Sequence, residues 1–284
     1  DIIDDIKNAI LVLPEDKKQA QEVYDREWRK IVRCFENGCK DFDKTIKHAA
    51  KELSKIKLKQ PIYEAKKVLM MGEIYVRREE FSSQDVVRKL AKRNIVVKRS
   101  PILEWVYYID YLMRVQYGAD VDLKMMIEMY IKAKVQTRYE KKIKKIFSAS
   151  GLYEYEEIDI KKIVDAGSQF INPALSGEAV VGVGVFFTEI AHNVQGVLSI
   201  GPFACLPSRL VEAILSQESR IAGNSRIEAL EQSERLKKYH TLPFLSVESD
   251  GNPFPQIVEA RIEAFALQVE RLYGLMHGKN NQHQ

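Results

Sequence analysis

Residues 195–210, QGVLSIGPFACLPSRL, pass from an apolar run through a sharp break into a helical pattern. Gly196, Val197, Leu198, Ser199 and Ile200 suit a strand buried on both faces, because apolar and polar positions do not alternate. Gly201 and Pro202 break the run, and helical spacing resumes at Ser208. Cys205 therefore falls in the turn between strand and helix. In a parallel sheet that turn lies at the carboxyl end of the strands, where open α/β folds bind their ligands. The position suits chemistry, although the neighbours Phe203, Ala204 and Leu206 also suit a small buried thiol.

Upstream, residues 67–71 (KVLMM) form a second apolar run that ends at Gly72 and Glu73. A helix from about Ser83 to Arg93, capped by Ser82 or Ser83, separates it from a strand at Ile95, Val96 and Val97. This is the start of a βαβ unit, without a GxGxxG or Walker sequence. Downstream, residues 242–247 (LPFLSV) supply a fourth strand, ended by Asp250 and Gly251.

The remainder reads as helix. Residues 1–60 hold two or three helices, with Ile6, Ile10, Val23, Trp28, Ile31 and Phe35 at helical spacing. Cys34 and Cys39 share a face only if the helix breaks at Asn37-Gly38, since five residues rotate a helix by ~140°. By spacing alone they are ordinary thiols. Between about 101 and 192 come an aromatic stretch (Trp105, Tyr107, Tyr108, Tyr111) read as packing, an amphipathic run over 121–147, and a segment over 160–170. A buried helix over 177–193 follows, in which Gly182 and Gly184 permit close backbone approach and His192 suits the carboxyl terminus. A helix to about Leu215 and a polar helical segment through Lys238 precede the fourth strand. The last helix covers 259–276, with Arg261 and Glu263 near its start and a frayed tail from His277.

The expected fold is α/β: a four-stranded parallel sheet in the order 2-1-3-4, because right-handed helical crossovers join the strands. A helical leader over 1–60 precedes a Rossmann-like domain over 61–278, with a helical insertion at about 101–192. The winding reverses between strands one and three. The loops 72–78 and 201–207 and the edge at Asp250 and Gly251 are expected to line a crevice there. Glu73, Asp250 and Cys205 would then face one pocket. Glu73 and Asp250 are the candidate catalytic carboxylates, with loop capping as their other reading.

The 284 residues are 45% hydrophobic and 30% charged, a soluble balance, and no apolar run approaches the ~20 residues needed to span a bilayer. The net charge of +4 comes from 44 basic and 40 acidic residues that interleave, which argues against nucleic acid as a partner. The cluster KKIKK at 141–145 reads as a solvated helix face. Three cysteines make no disulfide framework and suit a reducing, cytoplasmic compartment. They are also one short of the four thiolates that usually hold an iron–sulfur cluster. The chain opens on Asp1 rather than Met, which points to a longer polypeptide.

KKVLMMGEIYVRRE (66–79), GEAVVGVG (177–184), QGVLSIGPFACLPSRLVEAIL (195–215), LPFLSVESDG (242–251) and EARIEAF (259–265) resemble the 2-hydroxyacyl-CoA dehydratase D-component family. The nearest branch is the dehydratase-like proteins encoded with, or fused to, an ATP-dependent acyl-CoA dehydratase activase. The resemblance runs from about Ile62 to Leu272, and its most specific part is GPF-x-C-x-P, from Gly201 to Pro207. It implies that Cys205 is a [4Fe-4S] ligand, with Gly201, Pro202 and Phe203 beside the cluster. It also implies an activase as partner, an acyl-CoA thioester as substrate, and oxygen-sensitive, low-potential electron transfer leading to radical dehydration by a lyase. Cys34 and Cys39 match no motif of the family, so the resemblance leaves the other cluster ligands to an upstream part or a partner. No nucleotide-binding loop is present, so ATP hydrolysis belongs elsewhere. The alternative is a non-catalytic α/β interaction domain that docks an activase. A thiol-nucleophile enzyme is the weaker third reading, since only His192 and His240 lie near Cys205 in sequence.

Overall fold

Runs of Val, Ile, Leu and Met between helix-breaking residues become strands because both of their faces can be buried beneath helices. In the computed structural model, which describes residues 1–83, 85–115, 122–175, 177–220, 240–250 and 256–278, these are β1 (Lys66–Gly72), β2 (Ile95–Arg99), β3 (Val197–Pro202) and β4 (Phe244–Ser249). They form one all-parallel sheet in the order β2-β1-β3-β4. The expected topology is the one found. Val68 pairs with Val97, Met70 with Leu198, and Ile200 with Val247, so the centre of the sheet is mostly apolar, with Ser199 paired to Met71 and Ser246. Val68, Met70, Leu198 and Ile200 are all completely buried, each side chain contributing ~1.5–3 kcal/mol of transfer free energy.

The chain divides into two compact units, Asp1–Ala65 with Val106–Ile158, and Lys66–Trp105 with Asp159–Gln284. Residues 106–158 of the expected insertion thus group with the leader, and residues 159–192 with the sheet.

The first unit contains α1 (Ile2–Ile10), α2 (Lys17–Glu36) and α3 (Phe42–Leu53). Asp16 caps α2 by accepting from the Gln19 N–H at 3.0 Å. Residues Ala20, Tyr24, Glu27 and Ile31 form the buried stripe of α2, whereas the expected core positions Trp28 and Phe35 are exposed. Both lie ~50–70° around the helix from the centre of that stripe. The buried Glu27 carboxylate receives Lys30 Nζ at 2.8 Å and Arg26 Nε at 2.8 Å. Burial pushes Glu27 up, but those hydrogen bonds outweigh it and hold the carboxyl below its ordinary range. The helix does break at Gly38 (φ +78°): the Gly38 N–H bonds to the Phe35 carbonyl and the Cys39 N–H to the Cys34 carbonyl, a Schellman termination that brings the two thiols together. Burial and the neighbouring Cys34 push the Cys39 thiol up.

Next come α5 (Ile102–Val115), α6 (Leu123–Ser148), α7 (Ile160–Gly167), α8 (Ala179–Glu189), α9 (Leu206–Glu218) and α10 (Gln256–Met276), while α4 (Val86–Lys92) joins β1 to β2. Tyr108 of α5, in the first unit, is fully buried, as a packing role requires, whereas Trp105, Tyr107 and Tyr111 of the aromatic stretch are half-buried. Lys144 of α6 departs from the solvated reading of its cluster: it is buried, paired with Glu140 at 2.5 Å and bonded to the Glu156 carbonyl at 2.8 Å.

In the sheet unit, α10 packs on α4 and β4, and α8 packs on α7 and α9. Right-handed crossovers place these two groups on opposite faces of the sheet. The glycines of α7 and α8 do allow close approach: a Cβ on Gly184 would lie 1.9 Å from the Ile163 carbonyl oxygen, and one on Gly167 would lie 2.0 Å from that of Val180. Three local expectations differ. Asp85, at φ +56°, takes the N-cap position of α4 in place of Ser82 or Ser83, because the preceding turn is tied to Glu79 and Glu80. His192 is exposed in a turn beyond α8, which ends at Glu189. His277 is not frayed; its ring stacks on Tyr273 at 4.1 Å. The polar helical segment expected through Lys238 lies largely outside the described residues, as does the tail from residue 279.

Candidate functional site

Two features occupy the carboxyl ends of the strands in the sheet unit. The first is the turn after β3, which the sequence fastens to β4. The Phe203 N–H donates to the Ser249 carbonyl at 3.0 Å, the Ala204 N–H to Glu248 Oε1 at 3.2 Å, and the Cys205 N–H back to the Pro202 carbonyl at 3.2 Å. Glu248 Oε2 also holds Arg209 Nη2 at 2.6 Å, and Arg209 Nη1 reaches Glu212 at 2.5 Å. Gly201 permits the first turn of α9 to come close, since a Cβ there would lie 2.3 Å from Ser208 Oγ. Ala204 sits at φ +58°, a left-handed conformation that costs an L-residue ~1–2 kcal/mol. Cys205 is the N-cap residue of α9 and is partly exposed. Phe203 and Leu206 flank it, each 69% exposed.

The second feature is a crevice across the ends of β1, β2 and β3, holding about 490 Å3 of open space counted out to its mouth. Met71, Gly72 and Arg77 line it from β1 and the following loop, Ser100, Glu104 and Trp105 from beyond β2, Glu178 and Gly182 from α8, and Ser199, Pro207 and Ser208 from β3 and α9. It lies where the winding of the sheet reverses, the position that topology assigns to ligands in such folds.

The walls of the crevice carry buried charge. Arg77, 5% exposed, donates through Nη1 to the Gly72 carbonyl, and its Nε–H has no hydrogen-bond partner. Burial pulls its guanidinium below the ordinary value, partly offset by Glu104 and Glu178; an arginine remains charged throughout. Ser100 is 1% exposed and its Oγ also has no partner. Burial pushes the Glu104 carboxyl up to about 7, against the attraction of Arg77. Burial likewise raises Glu178, the N-cap residue of α8. A carboxyl that titrates near neutrality beside a fixed guanidinium is able to give or take a proton under physiological conditions.

The residues expected from sequence are placed differently. Glu73 Oε2 accepts from the Val76 N–H at 2.8 Å and its own N–H donates to the Ile200 carbonyl at 3.0 Å, so the side chain fastens its own turn. Asp250 is exposed at the end of β4, and Gly251 lies outside the described residues. Glu73, Cys205 and Asp250 are not among the residues that line the crevice.

The iron–sulfur cluster implied for Cys205 requires about four thiolates. No group of three or more His, Cys, Asp or Glu suited to a metal occurs among the described residues. The donors beside Cys205 therefore do not fit a complete cluster.

Sequence reading passed over Ser100, Glu104 and Glu178 as site residues. Glu104 left a trace: it is the one charged residue in ILEWVYYI, directly after Pro101 and the end of a buried strand. No helix among the described residues is long and apolar enough to cross a membrane. Comparison with family models, with curated proteins and with solved structures found no match to this chain.

Proposed function

We propose that this chain is a module of a 2-hydroxyacyl-CoA dehydratase-like or activase-associated assembly, and that the carboxyl-end face of its sheet is the working face. One observation supports the reading. Three stretches that carry the resemblance, far apart in sequence, meet at that face: Gly72 lies against the Ile200 backbone, and the Gly201–Cys205 turn is bonded to the Glu248 carboxylate and the Ser249 carbonyl. In this reading the chain contributes the thiol of Cys205, presented beside exposed Phe203 and Leu206. The remaining cluster ligands, the ATP hydrolysis and the electron source belong to other parts of the assembly.

Anaerobic reconstitution of the whole chain with ferrous iron and sulfide, with and without an acyl-CoA dehydratase activase, tests it. A visible absorption band and bound iron that form with the activase present and vanish in Cys205→Ser are the expected result. The exposure of Phe203 and Leu206 favours a second reading, an interaction domain that docks an activase without taking part in the reaction. Iron-free protein that binds the activase, and loses it in Phe203→Asp, supports that alternative and overturns the first.

A further inference from the structure

The geometry points to a binding site for a small carboxylate in the crevice at the ends of β1, β2 and β3, held by Arg77 Nε–H and the Ser100 hydroxyl between Glu104 and Glu178. The inference is independent of Cys205, which does not line this space.

Arg77 and Ser100 are both more than nine-tenths buried, and each presents one polar atom without a partner. Burying such groups unsatisfied is costly, so native interiors avoid it unless a bound group completes them. Both atoms can donate. The missing group must therefore bring acceptor oxygens, and its charge must suit a site where Arg77 is the cation among the described lining residues. A planar two-oxygen anion meets both requirements, because the guanidinium edge matches carboxylate geometry. Most of the open space lies at the mouth, and the enclosed part, between the β-strand ends and helices α8 and α9, admits only a few heavy atoms.

The carboxyls decide when the anion enters. Glu104 is faced by Arg77 from the loop after β1, by Lys98 of β2, and by Glu178 and Glu189 at the two ends of α8. Lys98 is engaged by Glu189 at 3.1 Å, so it offers little charge to a ligand. With Glu104 ionised, an entering carboxylate would put two negative charges beside a single guanidinium. With Glu104 protonated, its hydroxyl donates to the ligand instead. Above about pH 7, where the free chain has lost the Glu104 proton, binding takes up a proton and affinity falls with rising pH.

Calorimetric titration of the whole chain with sodium acetate, in carboxylate-free buffers of differing ionisation enthalpy, tests this. The expected result is saturable binding, with uptake of about one proton at about pH 8 and little below about pH 6, and a Kd that rises roughly tenfold per pH unit above about pH 7. Glu104→Gln, whose amide donates as the protonated acid does, should bind acetate with a Kd unchanged across that range. Ser100→Ala and Arg77→Lys should each weaken binding at least ~10-fold; if Arg77→Lys does not fold, Ser100→Ala reads the same pair of contacts. Cys205→Ser should bind as the native chain does, which keeps this result separate from iron reconstitution. No saturable binding up to ~0.1 M acetate, tighter binding of inorganic phosphate, or an unchanged pH profile in Glu104→Gln would each overturn the inference.

Discussion

A Cβ placed on Gly72 would lie 1.9 Å from the carbonyl oxygen of Ile200, closer than any real contact allows. The last residue of β1 is thus pressed against the backbone of β3, at φ +111°, where the crevice begins. Gly72→Ala is expected to cost ~4 kcal/mol or more, because the clash is with backbone in a paired strand. Gly38, at φ +78° with nothing within 4 Å of its absent Cβ, is the control: Gly38→Ala should cost only the ~1 kcal/mol of left-handed strain. Urea titrations of the two variants compare them directly.

Glu104 makes stability depend on pH in a definite direction. Its folded carboxyl is pushed up to about 7 from an ordinary value of 4.5, so below the lower value both states carry the proton and the group has no effect. Between the two values the unfolded chain ionises while the folded one holds its proton, and stability falls as pH rises, by up to ~3 kcal/mol in all. Above about 7 the loss is complete. In carboxylate-free buffer Glu104→Gln should match the native chain near about pH 4 and exceed its stability at about pH 8 by up to that amount. A native-to-variant difference that does not change with pH would show that Glu104 ionises normally.

Ala204 holds a left-handed conformation in the turn before Cys205. Ala204→Gly removes ~1–2 kcal/mol of strain and adds ~0.5–1 kcal/mol of unfolded-state entropy, so a net gain of about 0.5–1 kcal/mol is expected. The midpoint of chemical unfolding measures it. A loss of stability instead would mean that the Ala204 methyl makes packing contacts worth more than the strain.

Cys205 is partly exposed at the start of α9. In a Cys34→Ser, Cys39→Ser background one thiol per chain should react with a small aromatic disulfide reagent in native buffer. Reaction only after denaturant is added would make Cys205 a packing residue, and its assignment as the presented thiol would fall.

Local chemistry alone determined the sheet. Apolar runs without alternation, stopped by Gly72, Gly201-Pro202 and Asp250, specify buried strands, and the handedness of helical crossovers then leaves the order 2-1-3-4. The position of Cys205 between strand and helix followed from the same short-range signals. Burial of charge did not, because it depends on partners distant in sequence. Lys144 leaves its basic cluster for Glu140 and the Glu156 carbonyl, and residues 106–158 group with the leader, through contacts that no periodicity encodes. The crevice is the clearest case. Arg77, Ser100, Glu104 and Glu178 come from three separate segments, and each reads as an ordinary polar residue in its own stretch. Only when α8 and α9 close over the strand ends does water leave, so that a carboxyl ordinarily ionised at neutral pH holds its proton to about 7 and two buried donors are left facing open space.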